Sequence, residues 1–368
     1  MTTLFKMNWK LSLTLGAFVL AAVPIFSRDQ YLLSVLILCL MYGTLASSWD
    51  LLEGYLGQVN FGYAGFFGVG AYASALLAMR AGVSPWLCIL FGGAFTALIG
   101  LGVGFPCLRL SAGYVAIVTL AFGEIARLII TRWVDLTRGV MALWGIPPFP
   151  DILIGGFRVD MSGVDRTPYY YVILVIMLVS LVFMRKLVDS RTGLLFLAIR
   201  EDKDLAEGLG VDTVRHKLLG FGISSFIAGL VGGFFAHYTN TLAPELLGIA
   251  ITVQIAAMAV VGGRASLFGP LLGAFLLVSS EEVLRSVFEY RLIIYGLLII
   301  FFLTFFPEGL AGIGRYLRAA FEPSVTGTAI PPVSFKTDLK VRFLNESLIF
   351  KFAKRFVGTS HKKRMGSR

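Results

Sequence analysis

The chain has 368 residues, of which 57% are hydrophobic and only 15% are charged, and its formal net charge is +10. Soluble domains carry about 25% charged residues and could not bury so much apolar surface, so the composition excludes an ordinary soluble domain and indicates a membrane protein. Twelve of the 32 Lys and Arg lie in residues 315–368. The positive charge therefore describes membrane topology and a tail, and nucleic acid is not an expected partner.

Ten apolar runs recur along the chain, most of them near the 17–25 residues, roughly, that span hydrocarbon as a helix. Transmembrane β-strands would instead show alternating segments of about ten residues, which are not seen. The sequence predicts an all-α polytopic membrane protein with about ten transmembrane helices. The third and eighth runs are short or glycine-rich, so broken or re-entrant helices, and only eight or nine spans, remain open. The runs are roughly 11–26, 31–52, 57–79, 85–105, 111–130, 168–184, 218–238, 249–263, 266–282 and 292–306.

The distribution of Lys and Arg predicts the orientation, because these residues favour cytoplasmic loops. More of them fall on the inner side when the N-terminus is placed inside, so both termini are predicted to be cytoplasmic. The predicted permease domain is 1–318, with an outer loop at 131–167 and a cytoplasmic loop at 185–217. Residues 319–368 form a basic cytoplasmic tail, for which a helix on the inner leaflet and a disordered segment both remain open.

The run GYLGQVNFGYAGFFGVGAY, residues 54–72, places Gln58, Asn60 and Tyr63 among glycines and apolar residues. Glycine loosens a helix, and a bent helix exposes backbone carbonyls that need a polar cavity. These three residues are candidate lining of a translocation path, and close packing against neighbouring helices is an equal alternative. Asp50 and Glu53, just before the run, are expected to reach headgroups or water.

Two opposite charges, Glu124 and Arg127, stand three residues apart in the apolar run LAFGEIARLII. Each costs about 2.5–3.5 kcal/mol at a helix centre, and the spacing places them on one helix face where they can pair. The pair is predicted either to line the path or to lock the bundle, with locking favoured.

Small residues four apart recur in several predicted spans, and such faces let helices approach closely in lipid. Packing inside one bundle is the favoured interpretation, and dimerisation is the alternative. The glycine pairs are Gly100 with Gly104, Gly229 with Gly233, and Gly269 with Gly273.

A charged block, RTGLLFLAIREDKDLAEGLGVDTVRHK, interrupts the apolar runs at 191–217. It predicts a helix over about 203–208, capped by Asp202 at its start and by Gly208 or Gly210 at its end. Asp212 is predicted to cap the helix that leads into the seventh span. The block is amphipathic, so it can lie on the bilayer, pack under its own helices or dock into a partner. The candidate contact residues are Leu194, Leu197, Ala198, Leu205, Ala206 and Leu209.

The outer loop contains LWGIPPFP, whose adjacent prolines suggest an ordered cap over the outer mouth. A simple surface loop is an equally open interpretation.

Motifs for catalysis, metal binding or nucleotide binding are absent from the sequence. No P-loop occurs, and the three cysteines, Cys39, Cys88 and Cys107, lie in apolar runs without metal-ligand spacing. No enzymatic activity, cofactor or metal is therefore expected, and a partner must hydrolyse ATP if ATP drives transport.

Five stretches in order, over about residues 30–315, resemble the LivM-type permease subunit of branched-chain amino acid ABC importers. They are GYLGQVNFGYAGFFGVGAY, VAIVTLAFGEIARLI, LAIREDKDLAEGLGVDTVRHKLLGFGISSFIAGLVGGFFAHY, VVGGRASLFGPLLGAFLL and FFPEGLAGI.

The resemblance implies a multi-pass permease in the cytoplasmic (inner) membrane of a bacterium or archaeon. Its implied partners are a second, homologous permease, two ATP-hydrolysing subunits and an extracytoplasmic solute-binding protein. The segment 198–210 would be the part that couples to an ATPase subunit, and its candidate residues are Ala198, Arg200, Glu201, Asp202, Ala206 and Gly210.

The chain departs from the usual family pattern at Asn60 and Tyr63 and within 137–147 of the outer loop. Both departures fall near the expected path or mouth, so branched-chain amino acids, amides, urea and aromatic acids all remain candidate substrates. A stand-alone transporter with Glu124 as a proton or ion site is the alternative, and an integral-membrane enzyme is the third possibility.

Overall fold

A computed structural model describes residues 16–25, 29–107, 110, 112–154, 157–161, 165–284, 291–306 and 309–312. Each of the ten predicted apolar runs holds an α-helix within these residues. The predicted tail at 319–368 lies outside them.

Thirteen helices, labelled in chain order, make up almost all of the regular structure that the described residues contain. Helices α1 to α6 are Gly16–Ile25, Gln30–Asp50, Tyr63–Ala81, Pro85–Cys107, Ala112–Arg132 and Val134–Thr137. Helices α7 to α10 are Thr167–Val188, Arg191–Glu201, Lys203–Gly208 and Thr213–Thr239. Helices α11 to α13 are Ile249–Gly262, Gly269–Val283 and Arg291–Phe305. Strand β1, Leu143–Trp144, pairs with β4, Thr241–Leu242, and β2, Ile152–Ile154, pairs with β3, Phe157–Val159.

Six of the described helices are long and apolar enough to cross a membrane, and α1 and α11 are shorter apolar helices. A chain in which helices of this kind follow one another is an all-α polytopic membrane protein, as the sequence predicts. The eighth predicted run is indeed short, since α11 has 14 residues. The orientation of the termini stays a prediction.

Helix α10 lies at the centre of the bundle and packs most extensively against α4 and α3. The predicted small-residue faces form these contacts. A methyl group at Gly100 would lie 2.6 Å from Cβ of Ser225, and one at Gly229 would lie 2.6 Å from Cβ of Thr96. Gly273 similarly packs on α11, where a methyl group would lie 2.8 Å from the amide nitrogen of Gly262. The glycines therefore bring helices of the same chain together, as the favoured interpretation predicts.

The LWGIPPFP part of the outer loop is fixed to the end of α10. His237 Nδ1 lies 2.7 Å from the carbonyl oxygen of Pro147, and Asn240 Nδ2 donates to the carbonyl of Ile146 at 2.9 Å. Phe149 is buried, with ring centroids 5.3 Å from His237 and 4.6 Å from Trp86. This part of the loop is an ordered cap on the bundle.

Candidate functional site

The α2–α3 connection is a broken helix. Helix α2 continues into a π-helical turn, Leu51–Tyr55. Just after the turn, the amide of Gln58 donates to the carbonyl of Leu52 at 2.9 Å. The backbone then turns at Gly57, whose φ of 72° is left-handed, and helix resumes at Tyr63. π-helical turns often mark functional positions, and this one precedes the predicted path residues directly.

Side chains from three helices satisfy the backbone groups that the break leaves without helical partners. One comes from α2 itself, one from α5 and one from α11, so the break lies where these helices meet. The bonds run from the amide of Phe61 to Thr119 Oγ1 (3.1 Å), from the amide of Ala64 to Thr252 Oγ1 (2.9 Å), and from Trp49 Nε1 to the carbonyl of Asn60 (2.8 Å).

Three of the predicted path residues, Gln58, Asn60 and Tyr63, are buried, and two of these carry polar atoms without a partner among the described residues. Asn60 Oδ1 accepts from the amide of Gly62 at 3.0 Å, but its Nδ2 has no hydrogen bond, and neither has Gln58 Oε1. Tyr63 differs, because its hydroxyl donates to the carbonyl of Ser224 at 3.5 Å. An unmatched buried polar atom costs about 1–3 kcal/mol, so each of these two amides needs a polar group that the described residues do not supply.

Glu124 and Arg127 form a bidentate ion pair on α5, with Arg127 Nε donating to Oε2 at 2.9 Å and Nη2 to Oε1 at 2.5 Å. The side chains of Glu124 and Arg127 are 47% and 34% exposed, respectively. Here the outer face of α5 means the side that is turned away from the other helices. These bonds join residues of one helix and do not bridge two helices of the described chain. Whether the pair lines the path or locks the bundle stays a prediction.

Helices α8 and α9 form a short amphipathic unit beside the broken helix. As the sequence predicts, Asp202 caps α9, accepting from the amide of Leu205 at 2.9 Å, and Asp212 caps α10, accepting from the amide of Arg215 at 3.1 Å. Ser190, which sequence reasoning did not single out, caps α8.

This unit exposes one apolar set of side chains and buries another. Leu194, Leu205 and Leu209 are 67%, 63% and 77% exposed, whereas Phe196 and Ile199 are buried in the bundle. The unit thus has an outward apolar face that its own helices leave uncovered.

The predicted coupling residues divide between these two faces. Ala198, Glu201, Asp202 and Gly210 are exposed, and Gly210 has a φ of 84°. Ala206 is buried. Arg200 is exposed as a residue, but its Nη1 donates to the carbonyl of Gly54 in the π-helical turn.

Thr213, the first residue of α10, joins α9 to that helix. Its hydroxyl donates to Glu207 Oε1 at 2.5 Å, and this bond holds the pKa of the Glu207 carboxyl below its ordinary value. Lys203, 3.6 Å from the same oxygen, acts in the same direction.

Asp50 anchors the loop between α11 and α12. Its two carboxylate oxygens accept from the amides of Ala265 and Ser266, both at 3.1 Å, and the residue is fully buried. The prediction that Asp50 reaches headgroups or water is therefore wrong, because backbone amides take the place of water. Glu53 lies nearer the surface, with Oε1 3.6 Å from Nε of Arg264.

A multi-pass helical bundle with a broken helix, unmatched buried amides and an uncovered amphipathic unit fits a protein of the membrane permease class. The family described as "Branched-chain amino acid transport system / permease component" matches residues 31–303. The chain belongs to this family, and it is accordingly a transport component rather than an enzyme.

Individual relatives extend the match over most of the chain. The high-affinity branched-chain amino acid transport system permease protein LivM of Escherichia coli is 31% identical over 313 residues, covering 81% of this chain and 74% of the relative. The corresponding LivH of Escherichia coli is 25% identical over 285 residues, covering 74% and 91%. A probable LivM of Methanocaldococcus jannaschii is 24% identical over 332 residues, covering 83% and 90%.

Proposed function

We propose that the chain is the membrane permease subunit of an ATP-binding cassette importer for branched-chain amino acids or a related small amphipathic solute. It acts in the cytoplasmic (inner) membrane of a bacterium or archaeon, with a second homologous permease, two ATP-hydrolysing subunits and an extracytoplasmic solute-binding protein. The observation that carries this proposal is the family match over residues 31–303, which contains both the broken helix and the α8–α9 unit.

The unmatched amides support an amino acid as the solute. Asn60 Nδ2 is a free donor and Gln58 Oε1 a free acceptor among the described residues, and both are buried. A zwitterion offers a carboxylate to the donor and an ammonium group to the acceptor. The surrounding helices are apolar, which suits an aliphatic side chain.

The outer face of α5 supports a second permease as partner. Ile117, Ile125 and Ile129 are more than half exposed there, beside the Glu124–Arg127 pair. A charged pair is costly against lipid but is tolerated against another subunit or a polar path between subunits. Glu124 is held by two bonds to Arg127, which leaves it poorly placed as a free proton carrier.

The outward face of α8–α9 supports an ATPase subunit as partner. It displays three exposed leucines among charged residues at the same end of the bundle as the broken helix. An exposed apolar patch rimmed by polar residues is typical of a protein interaction site.

Uptake by the assembled complex tests the proposal. Proteoliposomes holding the chain with its second permease and ATPase subunits should import leucine only with ATP and the solute-binding protein present. Uptake that proceeds without ATP and follows an imposed proton gradient would instead establish the stand-alone transporter.

Asn60→Leu tests the path assignment within that assay. Loss of a hydrogen bond to a charged solute group costs about 1.5–3 kcal/mol, so KM should rise roughly 10- to 150-fold. Ser225→Ala is the matched control, because it removes another buried oxygen without a described partner, at the α4–α10 contact. Equal changes of KM in the two variants would show that Asn60 does not line the path.

Glu201→Lys and Gly210→Pro test the coupling surface. Glu201 is exposed, and proline cannot adopt the φ of 84° at residue 210. Both variants should reach the membrane but separate ATP hydrolysis from uptake. Normal uptake by both would show that the surface does not couple.

A further inference from the structure

Arg200 connects the α8–α9 unit directly to the broken helix. Its Nη1 donates to the carbonyl oxygen of Gly54, a residue of the π-helical turn that is 146 positions away in sequence. The contact continues at Gly57, where an added methyl group would lie 3.1 Å from Cγ and 3.5 Å from Cα of Arg200. The backbone of α8 therefore rests on the turn that leads to Gln58 and Asn60.

The opposite side of this turn is fixed. A methyl group at Gly54 would lie 2.6 Å from the amide nitrogen of Ala265 and 2.7 Å from Cγ of Asp50. Asp50 in turn binds the amides of Ala265 and Ser266. The π-helical turn is thus held between the loop that joins α11 to α12 on one side and Arg200 on the other.

The residues of α8 that contact the rest of the chain make two kinds of contact. Phe196 and Ile199 bury apolar surface, which stabilises the position of α8 but has little directional preference. The bond from Arg200 is directional and charge-assisted, so it specifies where the carbonyl of Gly54 lies relative to α8.

We propose that Arg200 is a positioning residue that transmits a displacement of α8 to the broken segment 56–62 and its unmatched amides. This inference rests on the proposed transport function. The outward side of α8 would contact the partner, and Arg200 binds the carbonyl of Gly54. A displacement of α8 by the partner would therefore displace that carbonyl as well.

Arg200→Met and Arg200→Lys, compared in the assembled complex in proteoliposomes, test this role. Arg191→Met, at the exposed start of α8, is the matched control. Arg200→Met should retain association with the ATPase subunits and ATP hydrolysis within about twofold, while solute imported per ATP falls at least about tenfold, the effect of losing one charge-assisted bond. Arg200→Lys should restore part of that ratio because an ammonium group still donates to the carbonyl.

Thiol labelling supplies a readout that a merely structural role would not alter. Val59→Cys is introduced into a chain in which Cys39, Cys88 and Cys107 are replaced by serine, and its reaction with a maleimide is timed with and without ATP. The rate should depend on ATP when Arg200 is present and should not when Met replaces it.

Three results would overturn the inference: wild-type import per ATP in Arg200→Met, loss of ATPase association in that variant, or ATP-dependent labelling that survives the substitution. If Arg200→Met fails to reach the membrane, Arg200→Lys and Arg200→Gln are measured in its place. Wild-type import per ATP and wild-type labelling in both of these variants would also overturn the inference. Failure of the proposed function is distinguishable, because the unsubstituted complex would then show no ATP-dependent import.

Discussion

Two glycines of the same helix, Gly100 and Gly102 of α4, should respond differently to replacement by alanine. The first replacement should lower the free energy of unfolding and the second should raise it. Gly100 faces α10, and an added methyl group would lie 2.6 Å from Cβ of Ser225 and 3.3 Å from the carbonyl oxygen of Phe221. Gly102 is exposed, and nothing in the described chain lies within 4 Å of the same position. The two sites share a helix and differ mainly in what the methyl group meets.

The magnitudes follow from two terms. Alanine is favoured over glycine in a helix interior by about 0.5–1 kcal/mol, and this gain applies at both positions. Overpacking costs about 1–3 kcal/mol and applies only at Gly100. Gly102→Ala should therefore raise the free energy of unfolding, and Gly100→Ala should be less stable than Gly102→Ala by about 1–3 kcal/mol.

The protein contains its own reporter for this measurement. Cys39, Cys88 and Cys107 are free and at most 1% exposed, so a thiol-reactive fluorophore reports unfolding during a thermal ramp in detergent. At roughly 2 °C per kcal/mol for a chain of this size, the two variants should differ by about 2–6 °C in apparent Tm. Equal Tm values, or a higher value for Gly100→Ala, would refute the close α4–α10 contact.

Three further predictions use the same protein. Gly57→Ala should lower Tm more than Gly82→Ala, because both glycines have positive φ (72° and 61°) but only the first meets another side chain; equal shifts would contradict the contact. The lowered pKa of Glu207 means that its bond to Thr213 stabilises the protein above the ordinary pKa, near 4.5, and that this contribution is lost as pH falls through the folded value. Thr213→Val should remove that dependence from a series of Tm values between roughly pH 6 and pH 3, and an unchanged slope would argue against it. His237→Ala should raise the rate of protease cleavage in the outer loop roughly tenfold, as expected for loss of about 1.4 kcal/mol of anchoring, and an unchanged rate would show that the cap is held otherwise.

Features encoded in neighbouring residues could be predicted from the sequence. Each of the ten apolar runs contains a helix, and Asp202 and Asp212 cap α9 and α10 because a cap depends on residues two or three positions away. The small-residue faces were also predictable in kind, since spacing shows that a helix has such a face. Spacing does not show which helix covers it.

Features that depend on distant contacts could not be predicted. The burial of Asp50 depends on Ala265, 215 residues away, and the bond of Arg200 depends on Gly54, 146 residues away. A carboxylate before a glycine-rich run and an arginine in a charged block both favour solvent by residue type alone. The sequence shows Gln58 and Asn60 only as polar residues in an apolar segment. Their lack of hydrogen-bond partners becomes evident only when the surrounding helices are placed.

The Glu124–Arg127 pair also bears on how a cell makes this chain. A copy inserted on its own turns two charges on an otherwise apolar helix toward hydrocarbon, at a cost of about 2.5–3.5 kcal/mol for each unpaired charge. Their mutual bonds reduce this cost but leave a polar defect on the lipid surface. In the proposed assembly the second permease would cover this defect, so a copy inserted without that partner would keep two charges on its lipid-facing surface.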